Sequence, residues 1–258
     1  MSRMGRQGPG RAPRAELLAI ALLVGACSAG PVDVVGLDPG SLTLGMVAYW
    51  PCDEVGEGPL VDRSGNGHDG RLFGPEWIVG HFAAGLHFDA GNWINVPSFP
   101  QAGSSWSVAL WYRAPAGDYG DDELTLVSNQ LWEGGWAMSA RLSADARRYR
   151  FSFPVGGDAS GASVQVETDQ VEVDRWVHLA AVLDGERSRL GLFKNGVLVS
   201  ETNAPAPIQP GTDNLYLGRW NDARRFLVGD LDDIVVFNRA LVPAEVQALV
   251  AGPAPALR

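Results

Sequence analysis

Residues 61–70 read VDRSGNGHDG and gather the side chains in this chain best suited to chemistry. Asp62 and Asn66 offer oxygens, and the glycines allow tight turns that aim backbone carbonyls inward. The spacing Asp-x-Ser-x-Asn-Gly opens like a calcium loop that closes on a bidentate glutamate at its twelfth position. Counted from Asp62, that position is Phe73, which excludes this loop type. A phosphate cradle needs Gly-Lys-Ser/Thr leading into a helix. Residues 61–70 hold no lysine, and a strand-like RLFG follows. Two readings stay open. One is calcium, which takes roughly six to eight hard oxygens, several from carbonyls. Its carboxylates would come from Asp53 and from Asp232 or Asp233, beside Asp62 and Asn66. The other is an Asx-turn, in which Asp62 and Asn66 bond backbone N–H groups. His68 suits zinc better than calcium and reads as a surface residue.

A second set of acids lies in ETDQVE, residues 167–172. A retaining glycoside hydrolase holds two carboxyls about 5–5.5 Å apart, and a bulged strand can turn Glu167 and Glu172 to one face. The residues between them include Thr168, Gln170 and Val171, which are mostly polar and fit a solvated acidic edge instead. The chain has no G-x-S-x-G, H-E-x-x-H or C-x-x-C motif. No catalytic set is therefore expected.

A third set is aromatic. Tyr119, Trp132, Trp136 and Trp220 fall in or beside turn-rich segments, where flat rings can stack on sugars. Asp121, Asp122 and Asn221 are nearby hydrogen-bonding groups, and Arg224 and Arg225 suit an anionic ligand. Trp50, Trp106, Trp111 and Trp176 sit at strand positions that read as core.

What must position these residues is a β body. The chain has 258 residues, with 32 glycines and 17 prolines cutting it into short segments. Hydrophobic residues make up 46% and charged residues 19%, enough apolar content for a packed core. A net charge of −10 argues against nucleic acid, which requires a basic face. From residue 44 onward, strand-like runs of β-branched and aromatic residues alternate with turns. In WSVALWYRA, Trp106, Val108 and Leu110 point one way and Ser107, Ala109 and Trp111 the other, so both faces of this strand are expected to be covered. Asn195-Gly196 predicts a type I′ hairpin turn. VPAEVQALVAG predicts one short helix with Pro243 in its first turn and Gly252 as its stop. About thirteen such strands fit a single two-sheet antiparallel sandwich.

The start of the chain reads as an address. Arg3, Arg6, Arg11 and Arg14 precede a short apolar run and the sequence VGAC. This ending resembles the bacterial lipobox, which implies a signal at 1–26 and a lipidated Cys27. Residues 27–43 then read as a Gly/Pro/Ser tether, 44–252 as the folded domain and 253–258 as a tail. Ser28 after the cysteine implies the outer membrane or cell surface by analogy. Cys52, the second of two cysteines, reads as an inert core thiol.

GMVAYWPCDE, DRSGNGHDGRL, GLHFDAGNWINVP, WSVALWYRA, RWVHLAAVLDGERSRLGLFKNGVLV and GDLDDIVVFNRALVPAEVQAL follow one another in an order that resembles laminin G-like domains of the concanavalin A-like lectin and glucanase class. The resemblance spans nearly all of 45–250. It implies an all-β jelly-roll sandwich in which the first and last strands lie close. It further implies one calcium site shared by Asp53, the loop around Asn66, and Asp232 or Asp233. Glucanases of the same class carry E-x-D-x-x-E as nucleophile, assisting aspartate and general acid, roles that would fall to Glu167, Asp169 and Glu172. The combined expectation is a membrane-anchored, non-catalytic domain recognising glycan or an envelope protein.

Overall fold

The computed structural model describes residues 41–120, 123–131, 134–143, 147–154, 163–168, 171–204, 208–221 and 224–254. All of them fall in one unit, 34–258, of the two into which the chain divides; residues 1–33 form the other and lie outside the described residues.

Among the described residues, turn-forming residues separate fifteen strands. They are β1 (Met46–Trp50), β2 (Arg71–Phe73), β3 (Glu76–Val79), β4 (Ala84–Phe88), β5 (Trp93–Val96), β6 (Trp106–Arg113), β7 (Leu124–Ser128) and β8 (Ala137–Leu142). There follow β9 (Arg147–Pro154), β10 (Ser163–Thr168), β11 (Trp176–Asp184), β12 (Arg189–Lys194), β13 (Val197–Asn203), β14 (Leu215–Leu217) and β15 (Gly229–Phe237). One α-helix, α1 (Pro243–Ala251), closes the domain, with the proline in its first turn as the sequence implies. A single 3-10 turn, Ser41–Thr43, precedes β1.

The strands form two antiparallel sheets. The larger runs β13-β12-β11-β6-β15-β4-β3, and β1 joins it by pairing with β15. The smaller runs β10-β9-β8-β7-β14-β5-β2. Non-consecutive strands lie side by side in both sheets, as a jelly roll requires. β1 and β15 pair antiparallel from Met46 opposite Phe237 to Trp50 opposite Ile234, so the two ends of the domain meet, as expected. Asn195 and Gly196 have φ of 49° and 79°, the double left-handed geometry of a type I′ turn.

The period of two along each strand builds the core. Trp106, Val108, Leu110 and Tyr112 of β6 face the second sheet and pack with Trp50, Phe88, Trp136 and Phe151. Burying each such side chain contributes about 1.5–3 kcal/mol. The opposite face of β6 is also covered. Ala109 joins Tyr49, Ala180, Phe193, Val235 and Phe237 in a second apolar layer beneath Val246 and Leu249 of α1. The central strands of the larger sheet are thus buried on both sides, whereas among the described residues nothing covers the outer face of the smaller sheet.

Candidate functional site

The meeting of the first and last strands brings acids together around Tyr49. Its hydroxyl donates to Asp233 Oδ1 at 2.6 Å. Burial, reinforced by the charges of Asp233, Asp53 and Asp232, raises the tyrosine far above its ordinary range. A bulge in β15, marked by φ 49° at Asp233, lets two consecutive aspartates both be buried. Burial pushes both carboxyls up to about 7. Asp232 Oδ2 accepts the backbone N–H groups of His81 and Phe82, while its Oδ1 is buried without a partner. Asp53 accepts the N–H of Ala84.

The side chains of the glycine loop bond to β1 and to the loop's own backbone. Both oxygens of Asp62 are occupied by donors: Oδ1 accepts the N–H groups of Tyr49 and Ser64, and Oδ2 accepts the Ser64 hydroxyl and the His68 N–H. Asn66 turns its amide N–H groups to the carbonyls of Met46 and Val47. Asp62 thus accepts backbone N–H groups as in an Asx-turn, whereas Asn66 donates to backbone carbonyls, and together they clamp the loop to β1. Of the residues expected to hold calcium, Asp53, Asp232 and Asp233 gather near Tyr49, while Asp62 and Asn66 are bonded within the loop and to β1. Among the described residues, no three His, Cys, Asp or Glu side chains converge as metal ligands. Asp53, Asp232 and Asp233 are the carboxylates at this junction that would hold a calcium ion.

The glycosidase triad is divided. Glu167 lies in β10 and pairs with Arg150 at 2.9 Å. Glu172 lies beyond that strand and pairs with Lys194 of β12, in the other sheet, at 3.1 Å. Asp169 lies outside the described residues. Each glutamate is matched to its own cation, an arrangement of ion pairs rather than of an acid and a nucleophile. His178 is a buried strand residue against Trp111. Burial, together with a contribution from nearby His81, lowers its pKa to about 3.

The aromatic set also separates. Trp136 is wholly buried between Trp106 and Phe151. It is core, not a sugar platform, because Asn129 Oδ1 holds its backbone N–H and fixes the direction of the strand that follows. Tyr119 is half-buried, packs against the core and donates its hydroxyl to the Ala116 carbonyl. Asn221 is half-buried. Trp132, Asp121 and Asp122 lie outside the described residues, as does Cys27. Cys52 is buried, and burial pushes its thiol up, consistent with an inert core role.

Among the described aromatics of this set, Trp220 opens on a depression. It is mostly buried, with the Arg225 guanidinium 4.2 Å above its ring. The two residues wall a groove of about 250 Å³ on the outer face of the smaller sheet. Strand register builds its floor: Thr125 lies opposite Ser139, Ser139 opposite Arg150, Ala137 opposite Ser152, and Ser152 opposite Gln165. Their neighbours in sequence, such as Met138, Phe151 and Val166, point into the core. Small side chains at Ala137, Ser139, Ser152 and Ser163 leave the hollow, and Arg150, Gln165 and Gln130 supply polar edges. The wall is anchored: the Thr125 N–H donates to the Arg225 carbonyl and the Gly218 N–H to Leu126. Gly218, at φ 84°, sits where a Cβ would strike Phe88 at 2.6 Å, so only glycine brings the Trp220 turn this close. Such a trough, flat-walled and lined by hydroxyls, amides and a guanidinium, can hydrogen-bond a polar chain molecule laid across the strands.

Comparison with known proteins places this architecture. No curated protein matches the chain by sequence. The family model described as Concanavalin A-like lectin/glucanases superfamily matches residues 88–247, more than half of the chain. Among solved structures, the binding domain of Paraclostridial Mosquitocidal Protein 1 is 18% identical with a TM-score of 0.64, covering 81% of this chain and 52% of that one. The botulinum neurotoxin serotype D binding domain is 13% identical with a TM-score of 0.63, covering 83% and 52%. Domain 4 of AbnA, a GH43 extracellular arabinanase from Geobacillus stearothermophilus, in complex with arabinotriose, is 17% identical with a TM-score of 0.59, covering 80% and 98%. The chain thus spans about half the length of the toxin domains and nearly all of the arabinanase domain. At these identities the likeness is one of fold. The sandwich topology and the family match together give the assignment: the chain belongs to the concanavalin A-like lectin/glucanase superfamily, as a laminin G-like jelly roll.

Proposed function

We propose that this domain is a non-catalytic glycan-recognition module, held outside the cytoplasm by lipid on Cys27. The groove on the open face of the smaller sheet carries the reading. Its floor of Ser139, Ser152 and Gln165 and its wall of Trp220 suit a sugar chain. The separate ion pairs of Glu167 and Glu172 support a binding role over a hydrolytic one. A fold neighbour described in complex with arabinotriose adds precedent for sugar on this scaffold. The test is a glycan array probed with the full chain and with Ser139→Trp, which fills the trough. Sugar binding that disappears in the variant is expected; equal binding by both proteins moves the site elsewhere. The anchor is tested separately. Cys27→Ser is expected to shift the chain from the membrane fraction to the soluble one, and retention in the membrane contradicts lipidation.

A second reading rests on one observation. Val197, Leu198 and Val199 are exposed in succession on β13, the edge of the larger sheet. An apolar sheet edge pairs readily with another strand, which favours contact with an envelope protein. Pulldown of such a protein, abolished by Leu198→Lys and indifferent to sugar, supports that reading.

A further inference from the structure

The open face of the smaller sheet carries more arginine than its carboxylates neutralise, in a chain whose net charge is −10. Glu123 and Glu167 are both engaged there. Glu123 pairs with Arg148 at 2.8 Å and Arg150 at 3.1 Å, and Glu167 with Arg150 at 2.9 Å. Arg71, Arg219 and Arg225 have no ion pair among the described residues. Each rests on an aromatic ring instead. Arg71 lies over Phe73 at 4.9 Å and Arg225 over Trp220 at 4.2 Å. Arg219 lies over both Trp93, at 3.7 Å, and Tyr216, at 4.4 Å. Phe73 in turn stacks on Trp93 at 3.9 Å. Register explains the ladder: Phe73 lies opposite Trp93, Arg71 opposite Asn95, and Asn95 opposite Tyr216, all outward-facing. Their in-between neighbours Ile94, Leu215 and Leu217 fill the core.

A guanidinium held on a ring keeps its charge and its planar fork of N–H donors, pre-organised for an oxyanion. Asn95 Oδ1 and Arg219 Nε are buried without partners beside the ladder, so polar capacity remains unused there. We propose that this face selects acidic glycans, with Arg219 and Arg225 receiving sugar-borne carboxylate or sulfate groups and the Trp220 groove receiving the sugar chain. The inference rests on the glycan-binding reading above and adds the ligand's charge. Neutral sugars would leave three ring-bound cations without counter-charge among the described residues.

The experiment measures affinity of the full chain for polygalacturonate, dextran sulfate and neutral dextran, with the Arg219→Gln/Arg225→Gln variant alongside. Both residues lie at the surface or half-buried, and far-UV circular dichroism checks that the variant folds. At least one acidic polymer is expected to bind about tenfold or more tightly than dextran, to weaken as salt rises, and to lose about tenfold in the variant. Arg225→Lys, which keeps charge but not the fork, is expected to lose part of that affinity. Binding of polygalacturonate alone identifies carboxylate as the group, and of dextran sulfate alone identifies sulfate. Equal binding of neutral dextran, unchanged in the variant, overturns the acidic preference and leaves glycan recognition standing. Acidic polymer binding that the variant does not weaken places the contact elsewhere and also overturns it. If no polysaccharide binds, and the array is equally silent, both readings fall.

Discussion

The outer faces of the two sheets have the same strand geometry and opposite fates. On the larger sheet, outward positions are apolar: Tyr49, Ala109, Phe193, Val235 and Phe237, sealed by Val246 and Leu249 of α1. On the smaller sheet, outward positions are Thr125, Ser139, Arg150, Ser152 and Gln165, and no helix among the described residues covers them. A sheet face that is to be covered needs dispersion and loses hydration; one that is to meet a ligand keeps hydrogen-bonding groups wet until the ligand arrives. Under the proposed function, the difference puts stability on one side of the sandwich and recognition on the other.

Mutation should expose this division. The largest effect is expected at the covered face: Phe237→Ala should destabilise by about 3–5 kcal/mol in chemical denaturation, through lost burial and a cavity. Ser152→Ala on the open face should stay within about 0.5 kcal/mol. Similar values for the two would erase the contrast. Next is the latch of the cover. Arg239 donates to both oxygens of Glu245 and to the carbonyls of Ser41 and Leu44, tying α1 to the start of the domain. Arg239→Ala should cost about 2 kcal/mol, less than a fully buried pair because the arginine is partly wet. Burial pushes Glu245 up, but Arg239 and the Val242 N–H outweigh it and hold the carboxyl below its ordinary range. Relative to Arg239→Ala, the wild-type advantage should therefore be complete above about pH 4.5 and fade as pH falls through the lower folded value. An advantage that grows in acid contradicts the latch.

Aimed at function rather than stability is Ser139→Trp. It should remove about tenfold or more of sugar affinity while far-UV circular dichroism keeps the wild-type β signature. The smallest effect is spectroscopic. His178, with a pKa lowered to about 3 by burial and then by His81, should stay neutral in NMR spectra down to pH 5. Because its folded pKa lies below its unfolded value, its contribution is complete above about pH 6.5 and is lost as pH falls toward 3. A midpoint near 6.5 would mean that its surroundings are wet.

Much of this plan is legible in the residues, because alternation writes the core directly. WSVALWYRA shows both covered faces of β6, and Asn195-Gly196 shows its turn. β3 is not visible: EWIV is short, lies on an edge and is half-exposed, so no alternation marks it. The loop clamp is ambiguous in sequence for a physical reason. A calcium ligand and an Asx-turn both call for side-chain oxygens among glycines, and the bonds from Asn66 to the carbonyls of Met46 and Val47, far back in the chain, are visible only in the fold. Trp136 looks like a loop aromatic because two glycines precede it; the register of β8 against β9 turns it inward. The groove hides for the opposite reason. Ser139, Ser152 and Gln165 are the residues any solvated strand presents, and only pairing shows that small ones coincide in a row beside Trp220. The ring-bound arginines are likewise dispersed at positions 71, 219 and 225 and meet their rings only through strand order.

The central claim is that the uncovered sheet face receives the ligand. It is tested most directly by backbone NMR of the domain titrated with acidic and neutral oligosaccharides. Saturable shifts concentrated at Thr125, Ser139, Ser152, Gln165 and Trp220, with Phe193 and Val235 unmoved, are the predicted result. Shifts centred on α1 or the β13 edge, or no shifts with any sugar, would contradict it.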